Sequence, residues 1–228
     1  MDCIKDKNWI IIVSAGNATR FGKDKSLTML YDKPLLCHTV QTAKQVTPNV
    51  IVVANQNNLE NYKQLFGDQV ILTTGGNTRT QSVKNGLKLL PSDAELVAIQ
   101  DGARPFTTID LYQRAFNQAK QSGSAIPTLP ATDTVYQQND DKPLPLDRQK
   151  LALAQTPQVF DAKKLLVAYS QAQSQNETDD GRVWLNAYGK LSFIQGERTN
   201  RKITYIQDLP TQKVGVGFDA HQLVPSRH

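Results

Sequence analysis

The apolar residues of this chain fall in short, evenly spaced runs. Trp9 to Val13 (WIIIV) is continuous and rich in β-branched side chains, and Asn49 to Ala54 (NVIVVA) repeats the pattern. Runs of this length without polar alternation predict strands covered on both faces. Gln69 to Thr73, Leu96 to Gln100 and Ser124 to Thr128 are further strands. Between them the spacing turns helical. Lys33 to Val46 reads as a helix with Pro34 in its first turn, and Leu59 to Phe66 as a short helix. Arg79 to Leu90 is a helix with Val83, Leu87 and Leu90 on one side, and Ile109 to Ser122 is another. Strand and helix alternate at a regular pace. That predicts an α/β fold, Rossmann-like, with a mostly parallel sheet and helices on both faces.

Thr132 to Leu153 breaks the rhythm. It is polar, holds two prolines and contains Asp140-Asp141. Thr134–Gln138 and Leu151–Gln155 read as the two arms of an extended excursion from the sheet. Asp161 to Gln173 is then a helix, and Lys190–Gln195 and Lys202–Tyr205 are late strands. After Pro210 the character changes again, to Val214-Gly215-Val216-Gly217-Phe218-Asp219-Ala220-His221.

At 228 residues the chain suits one α/β domain, or one domain and an appendage. No apolar run reaches the roughly 18–20 residues that span a bilayer, so no membrane association is expected. The N-terminus is polar and lacks the apolar core of a secretory signal. Cys3 and Cys37 make no disulfide framework, which points to a reducing cytoplasm. An aromatic content of 7% argues against a surface that stacks on nucleic-acid bases. The net charge of +5 is spread along the chain. It suits attraction of polyphosphates, and equally a solvated basic surface.

Three loops carry the candidate chemistry. Ser14-Ala15-Gly16-Asn17-Ala18-Thr19-Arg20-Phe21-Gly22 follows the first strand. Its small residues let backbone N–H groups approach an anion, and Arg20 and Lys25 add two cations such as in-line attack on a triphosphate needs. The loop matches neither the dinucleotide fingerprint nor the P-loop, and it could also be a tight turn before solvated basic residues. In Gly75-Gly76-Asn77-Thr78-Arg79-Thr80-Gln81-Ser82-Val83, two glycines close a strand and a polar run opens a helix. Backbone groups and the Ser82 hydroxyl could hold a base or ribose, or Asn77 or Thr78 could simply cap the helix. In Gln100-Asp101-Gly102-Ala103-Arg104-Pro105, Asp101 sits at the carboxyl end of a central strand, where open α/β sheets bind ligands. It could favour Mg²⁺ on phosphates, directly or through water, or pair with Arg104 in a turn.

In order and spacing these blocks resemble the methylerythritol-phosphate cytidylyltransferase family. The similar residues are Gly16, Arg20 and Lys25; Gly75, Gly76, Arg79, Ser82 and Val83; and Asp101, Ala103, Arg104 and Pro105. The similarity continues through Asp133-Thr134, Asp147-Arg148, Thr156-Pro157-Gln158, Thr178-Asp179 and Lys202-Ile203, over roughly 8–210. The resemblance implies CMP transfer from CTP to 2-C-methyl-D-erythritol 4-phosphate with Mg²⁺ on the triphosphate, and a homodimer built on an arm at about 132–155. It implies that Arg20 and Lys25 act at the α-phosphate, and that Arg148 and Lys202 hold the acceptor phosphate. CTP would be bound by Ala15, Gly16, Gly76, Asn77, Ser82 and Asp101. The acceptor would be bound by Arg104, Thr134, Arg148, Thr178 and Lys202, with Thr134 and Arg148 reaching a partner's site. Departures from the family pattern stand at Ala18, at Gly181 and Arg182, and at Arg201. Ribitol-5-phosphate cytidylylation and a degenerate nucleotide-binding protein are the alternatives. The segment from Val214 to Leu223 is similar to the opening of methylerythritol cyclodiphosphate synthase, with Asp219 and His221 as an incomplete zinc pair. The expected division is therefore 1–210 for the cytidylyltransferase and 211–228 for a linker and the truncated start of a second domain.

Overall fold

The computed structural model describes residues 6–16, 25–138, 142–172, 174 and 177–210. Twelve strands and six α-helices follow in chain order among them. They are β1 (Asn8–Ser14), β2 (Met29–Leu30), β3 (Lys33–Pro34), α1 (Leu35–Val46), β4 (Val50–Ala54), α2 (Leu59–Phe66), β5 (Ile71–Thr74), α3 (Arg79–Leu87) and β6 (Leu96–Asp101). Then come α4 (Ile109–Ser122), β7 (Ser124–Pro130), β8 (Val135–Gln137), β9 (Leu144–Leu146), β10 (Ala152–Ala154), β11 (Gln158–Asp161), α5 (Ala162–Gln171), α6 (Asp180–Tyr188) and β12 (Phe193–Gln195).

The main sheet runs β10-β7-β11-β6-β1-β4-β5, with β12 beside β7. Strands β6, β1, β4 and β5 are parallel to one another. The two runs predicted as strands covered on both faces become β1 and β4, whereas β5 is a half-exposed edge strand, and the cause is visible in the core. Alternate residues of β1 face opposite ways, as a pleated strand requires. Ile10 and Ile12 belong to one buried cluster with Leu36, Val40, Tyr62 and Tyr112 of α1, α2 and α4. Ile11 faces α3 and belongs to a second cluster that includes Val83, Leu87, Leu165 and Trp184 of α3, α5 and α6. Burying each such aliphatic side chain contributes about 1.5–3 kcal/mol. Gly86 lets α3 settle on the sheet, since a Cβ there would meet Ile11 Cγ2 at 2.7 Å.

Two expectations are corrected, and two elements are added. The excursion is a hairpin of β8 with β9, pairing Val135 with Leu146 and Gln137 with Leu144. Its second strand is therefore not Leu151–Gln155. Pro145 holds Leu144 extended, whereas Ala152–Ala154 returns to the sheet against Pro130–Thr128 of β7. No strand forms over Lys202–Tyr205. The amides of Thr204 and Tyr205 both donate to Asp208 Oδ2, at 2.6 and 2.8 Å, and curl the chain into a turn over Ile206–Asp208. Strand β11 adds an antiparallel member between β6 and β7. Helix α6 also goes beyond the sequence reading. Asp179 caps it by accepting from the Arg182 amide at 3.0 Å, and Gly189 ends it in the left-handed region at φ 68°.

Candidate active site

A cleft of about 580 Å³ opens where the chain, having stepped outward from β1 to β4 and β5, crosses back to β6 on the other side of β1. Such switch points gather strand ends and helix N-termini around a ligand. Val13 and Ser14 come from β1, Ala54 from β4 and Asp101 from β6. Ala15, Gly16, Gly75, Gly76, Asn77, Ser82, Lys25, Arg79 and Lys202 also line the cleft.

The first loop leaves β1 at Ser14 and re-enters the described residues at Lys25. Both of its ends are tied to one buried phenol: the Ser14 and Tyr62 hydroxyls lie 3.0 Å apart, and Tyr62 donates to Ser26 Oγ at 2.6 Å. Arg20 and Ala18 lie outside the described residues. So do Asp219 and His221, with the whole of 211–228. Lys25 donates to Ile203 O at 3.3 Å, which links the first loop to the segment that carries Lys202.

The second loop packs on the first. A Cβ on Gly75 would stand 2.2 Å from Ala15 Cβ, so only glycine fits at this crossing. Ser82 turns its hydroxyl inward, accepting from the Gly76 amide at 3.1 Å and donating to Thr78 O at 2.9 Å. It therefore shapes the loop whatever else it touches. Of the two capping candidates, Thr78 caps α3, accepting from the Gln81 amide at 3.1 Å.

Asp101 is the electrostatic centre. Its Oδ2 lies 2.9 Å from Lys202 Nζ and 3.4 Å from Arg104 Nε. Burial works against its charge, but Lys202, then Arg79 and Arg104, outweigh it and hold the carboxyl well below the usual range. The turn pairing of Asp101 with Arg104 is thus real, and Lys202 joins it. Arg104 is buried and is not part of the cleft wall; it also donates to Asn200 O at 2.7 Å. Burial lowers its pKa, partly offset by Asp101.

Among the described residues no group of three or more His, Cys, Asp or Glu gathers. Among the described residues Asp101 is the single carboxylate lining the cleft, so of these it alone would meet a cation that takes its other oxygens from polyphosphate. That donor set fits Mg²⁺ arriving with a nucleotide, because Mg²⁺ commonly keeps its waters and binds through one or two carboxylates and phosphates.

Several residues that make the site went unread as functional positions. Asn200 is fully buried; it donates to Thr156 O at 2.8 Å and accepts from Thr107 Oγ1 at 2.8 Å. It fixes the segment two residues before Lys202, so the substitution at Arg201, which stacks on Phe106 at 5.3 Å, leaves that anchor intact. Thr156 Oγ1 accepts from the Asp101 amide at 3.0 Å. Gln158 donates to Asp179 Oδ2 at 2.6 Å and accepts from the Gly181 amide at 2.9 Å. These contacts explain physically why a Thr-Pro-Gln block and a Thr-Asp block belong to one site. Thr178 is exposed between those anchors, outside the cleft wall. Thr134 and Arg148 lie on the excursion, exposed and away from this cleft, and Arg148 donates to Thr132 O at 2.7 Å.

A model of the family described as 2-C-methyl-D-erythritol 4-phosphate cytidylyltransferase matches residues 9–216. The chain belongs to this family. It is 34% identical over 213 residues to the 2-C-methyl-D-erythritol 4-phosphate cytidylyltransferase of Bacteroides thetaiotaomicron, covering 89% of this chain and 96% of that one. It is 34% identical over 225 residues to the bifunctional enzyme IspD/IspF of Pelagibacter ubique, covering 95% of this chain and 60% of that protein. The chain thus spans about three fifths of the bifunctional relatives it matches. The fold is similar to the solved 4-diphosphocytidyl-2C-methyl-D-erythritol synthase of Anaerococcus prevotii, with a TM-score of 0.77 and 27% identity over 90% of this chain and 96% of that one. The bifunctional IspDF of Campylobacter jejuni gives a TM-score of 0.78 at 30% identity, over 90% of this chain and 53% of that one. Among the described residues no helix is long and apolar enough to cross a membrane.

Proposed function

We propose that the chain transfers CMP from CTP to 2-C-methyl-D-erythritol 4-phosphate and releases pyrophosphate, acting in the cytoplasm. The observation that carries this is the gathering of Lys25, Arg79, Lys202 and Asp101 in one cleft, in a chain that matches the family model over 9–216. A phosphate oxygen of the acceptor attacks the α-phosphorus of CTP. One P–O bond forms, the bond to the β-phosphate oxygen breaks, and the bridging oxygen leaves with pyrophosphate. Negative charge builds at the α-phosphate and on the leaving group. Preorganised cations stabilise that charge, which is the role of Lys25 and of Arg20. Lys202 takes the acceptor phosphate. The loop 75–78 and Ser82 receive cytidine. Asp101 would be the protein carboxylate for Mg²⁺ arriving with CTP, which would neutralise triphosphate charge.

Thr134 and Arg148 serve the site of a second copy. What supports this is the β8–β9 hairpin, which pairs with itself apart from the main sheet and exposes Tyr136 and Leu144. A lone two-stranded hairpin is marginal in water and gains from being covered. Bifunctional relatives support the reading of Asp219 and His221 as the start of a second domain.

The test is pyrophosphate release from CTP with each of two acceptors. Release with methylerythritol phosphate is expected. Release with ribitol 5-phosphate alone would reassign the acceptor. Calorimetric CTP binding with no release on either would make the chain a nucleotide-binding protein instead.

A further inference from the structure

Arg79 and Asp180 each begin a helix, and the two helices meet at these residues. Arg79 is the first residue of α3, where the positive end of the helix dipole opposes a cation. Asp180 is the first residue of α6, where the dipole favours an anion. Arg79 reaches the carboxylate with both terminal nitrogens, Nη1 to Oδ1 at 3.0 Å and Nη2 to Oδ2. Tyr169 of α5 donates to Oδ1 as well. The Asp180 side chain is 0% exposed and that of Arg79 23%, the latter facing the cleft. Burial opposes the Arg79 charge, yet Asp180 outweighs it and carries the guanidinium pKa upward. A buried ion pair is weak evidence for stability, and its best-attested use is to fix one arrangement among several.

The arrangement it fixes is that of two loops. On the α3 side, Arg79 directly follows the loop 75–78, which Ser82 closes on its own. On the α6 side, Asp180 directly follows the turn 177–179. That turn is held at Asp179 by Gln158 at 2.6 Å and by the Arg182 amide at 3.0 Å, while Thr80 of α3 donates to Glu177 O at 3.1 Å and so ties the two sides as well. Each loop therefore keeps its internal shape without the ion pair. What the pair adds to the single Thr80 bond is a charged, two-nitrogen clasp that fixes their separation.

We propose that Asp180, by clasping Arg79, is a positioning residue that sets the nucleotide loop and the turn bearing Thr178 at a fixed distance, so that acceptor and α-phosphorus meet in register. This rests on the cytidylyltransferase reading. Misplacing reacting groups by about 1 Å costs on the order of 10²-fold in rate without requiring loss of binding.

The test measures kcat, acceptor KM and calorimetric CTP affinity for Arg79→Lys, Asp180→Asn, Asp180→Glu and the Arg79→Lys/Asp180→Asn pair. Melting of each variant is followed to keep assays below its unfolding. We expect kcat to fall about 10²-fold in Arg79→Lys and Asp180→Asn, with CTP Kd and acceptor KM within about threefold. The double variant is expected to be no worse than either single, because both break one contact. Asp180→Glu, which keeps the charge, is expected to recover part of kcat. A CTP Kd weakened more than about tenfold with kcat retained would make Arg79 a nucleotide ligand and overturn the proposal. So would unchanged kcat, or loss of activity only in proportion to unfolded protein. Should Asp180→Asn fail to fold, Tyr169→Phe carries the test, since it removes one bond and keeps both charges. A reduced kcat at unchanged CTP Kd supports the proposal there, and an unchanged kcat overturns it. An unsubstituted chain that releases no pyrophosphate overturns this inference and the function together.

Discussion

Replacing Asp101 by Asn removes one negative charge from the centre of the cleft and changes almost no volume. The consequences for stability and for ligand affinity have opposite signs. Lys202 is 43% exposed, so its 2.9 Å pair with Asp101 contributes less than about 1 kcal/mol after solvent screening. Arg104 differs: its side chain is 10% exposed, and it would keep its charge with only Asn200 O and an amide oxygen for partners. Breaking a buried pair costs about 3–5 kcal/mol, and because an amide still accepts a hydrogen bond, the lower end, about 3 kcal/mol, is expected here. Urea unfolding should show that loss at neutral pH. The Asp101 contribution should fade in the parent as pH falls. Its carboxyl is depressed in the folded state, so its stabilisation is complete above the unfolded value of about 4 and disappears as acid reaches the folded one. Affinity should move the other way. Polyphosphate brought in without a divalent cation is repelled by Asp101, and in the variant Lys202 is released to meet it. Calorimetry in chelator should therefore find metal-free CTP bound at least as tightly as by the parent, while turnover with Mg²⁺ falls about 10²-fold because Lys202 loses its seat. A stability loss below about 1 kcal/mol would refute the account of Arg104. Metal-free CTP affinity that falls together with turnover would refute the account of the cleft charge.

Gly75→Ala should cost about 1–3 kcal/mol and weaken CTP binding, because its Cβ would stand 2.2 Å from Ala15 Cβ between two loops; thermal melting and calorimetry check this, and a neutral result would mean that the loops can part. Lys25→Ala and Arg20→Ala should each lower turnover by about 10²–10³ with the fold retained by circular dichroism, and near-parent turnover in both would sink the charge-stabilisation mechanism. Burial raises the phenols of Tyr112 and Tyr169, with the Asp180 charge adding to the effect at Tyr169. Ultraviolet titration should find both protonated in the folded chain well past the ordinary value of about 10. Above that value the unfolded chain sheds protons that the folded chain keeps, so stability should fall as pH rises. Full ionisation of all seven tyrosines in folded protein near pH 10 would contradict the burial.

The strands that became β1, β4 and β6 were legible because each is flanked by helices on two faces, which forces unbroken apolar runs. Helix α4 was legible to the residue, since Thr108 and Gly123 mark its ends. Helix α6 was not, because Asp180-Gly181-Arg182 is polar and its apolar positions Val183 and Trp184 come late. Strand β11 was hidden because Gln158-Val159-Phe160 is too short to separate from the loop before it. Loop residues of the site were legible by type and order. Their partners were not, since Asn200, Thr156 and Gln158 act through buried hydrogen bonds to backbone groups remote in sequence. A cation at the first position of α3 was the one local clue that Arg79 needed a remote carboxylate. Arg104 shows the opposite limit: its place in a motif could not reveal that its side chain turns inward.

The cleft cations differ in what holds them, and that difference sorts their roles. Three positive charges gathered at one cleft repel one another; a pair at about 4 Å costs roughly 4 kcal/mol at an effective dielectric of 20. Each has its own protein partner: Lys25 the carbonyl of Ile203, Lys202 the carboxylate of Asp101, Arg79 the carboxylate of Asp180. A polyphosphate can replace the partner of Lys202, which is 43% exposed and reaches Asp101 by a single nitrogen. It cannot replace Asp180, which is wholly buried and held by Arg79 and Tyr169 together. Lys202 is thus built to exchange one anion for another at small net cost, and Arg79 to stay. A site arranged this way keeps its positive charge in place before the substrate arrives, and such preorganisation, not the number of cations, lowers the barrier when charge develops at phosphorus.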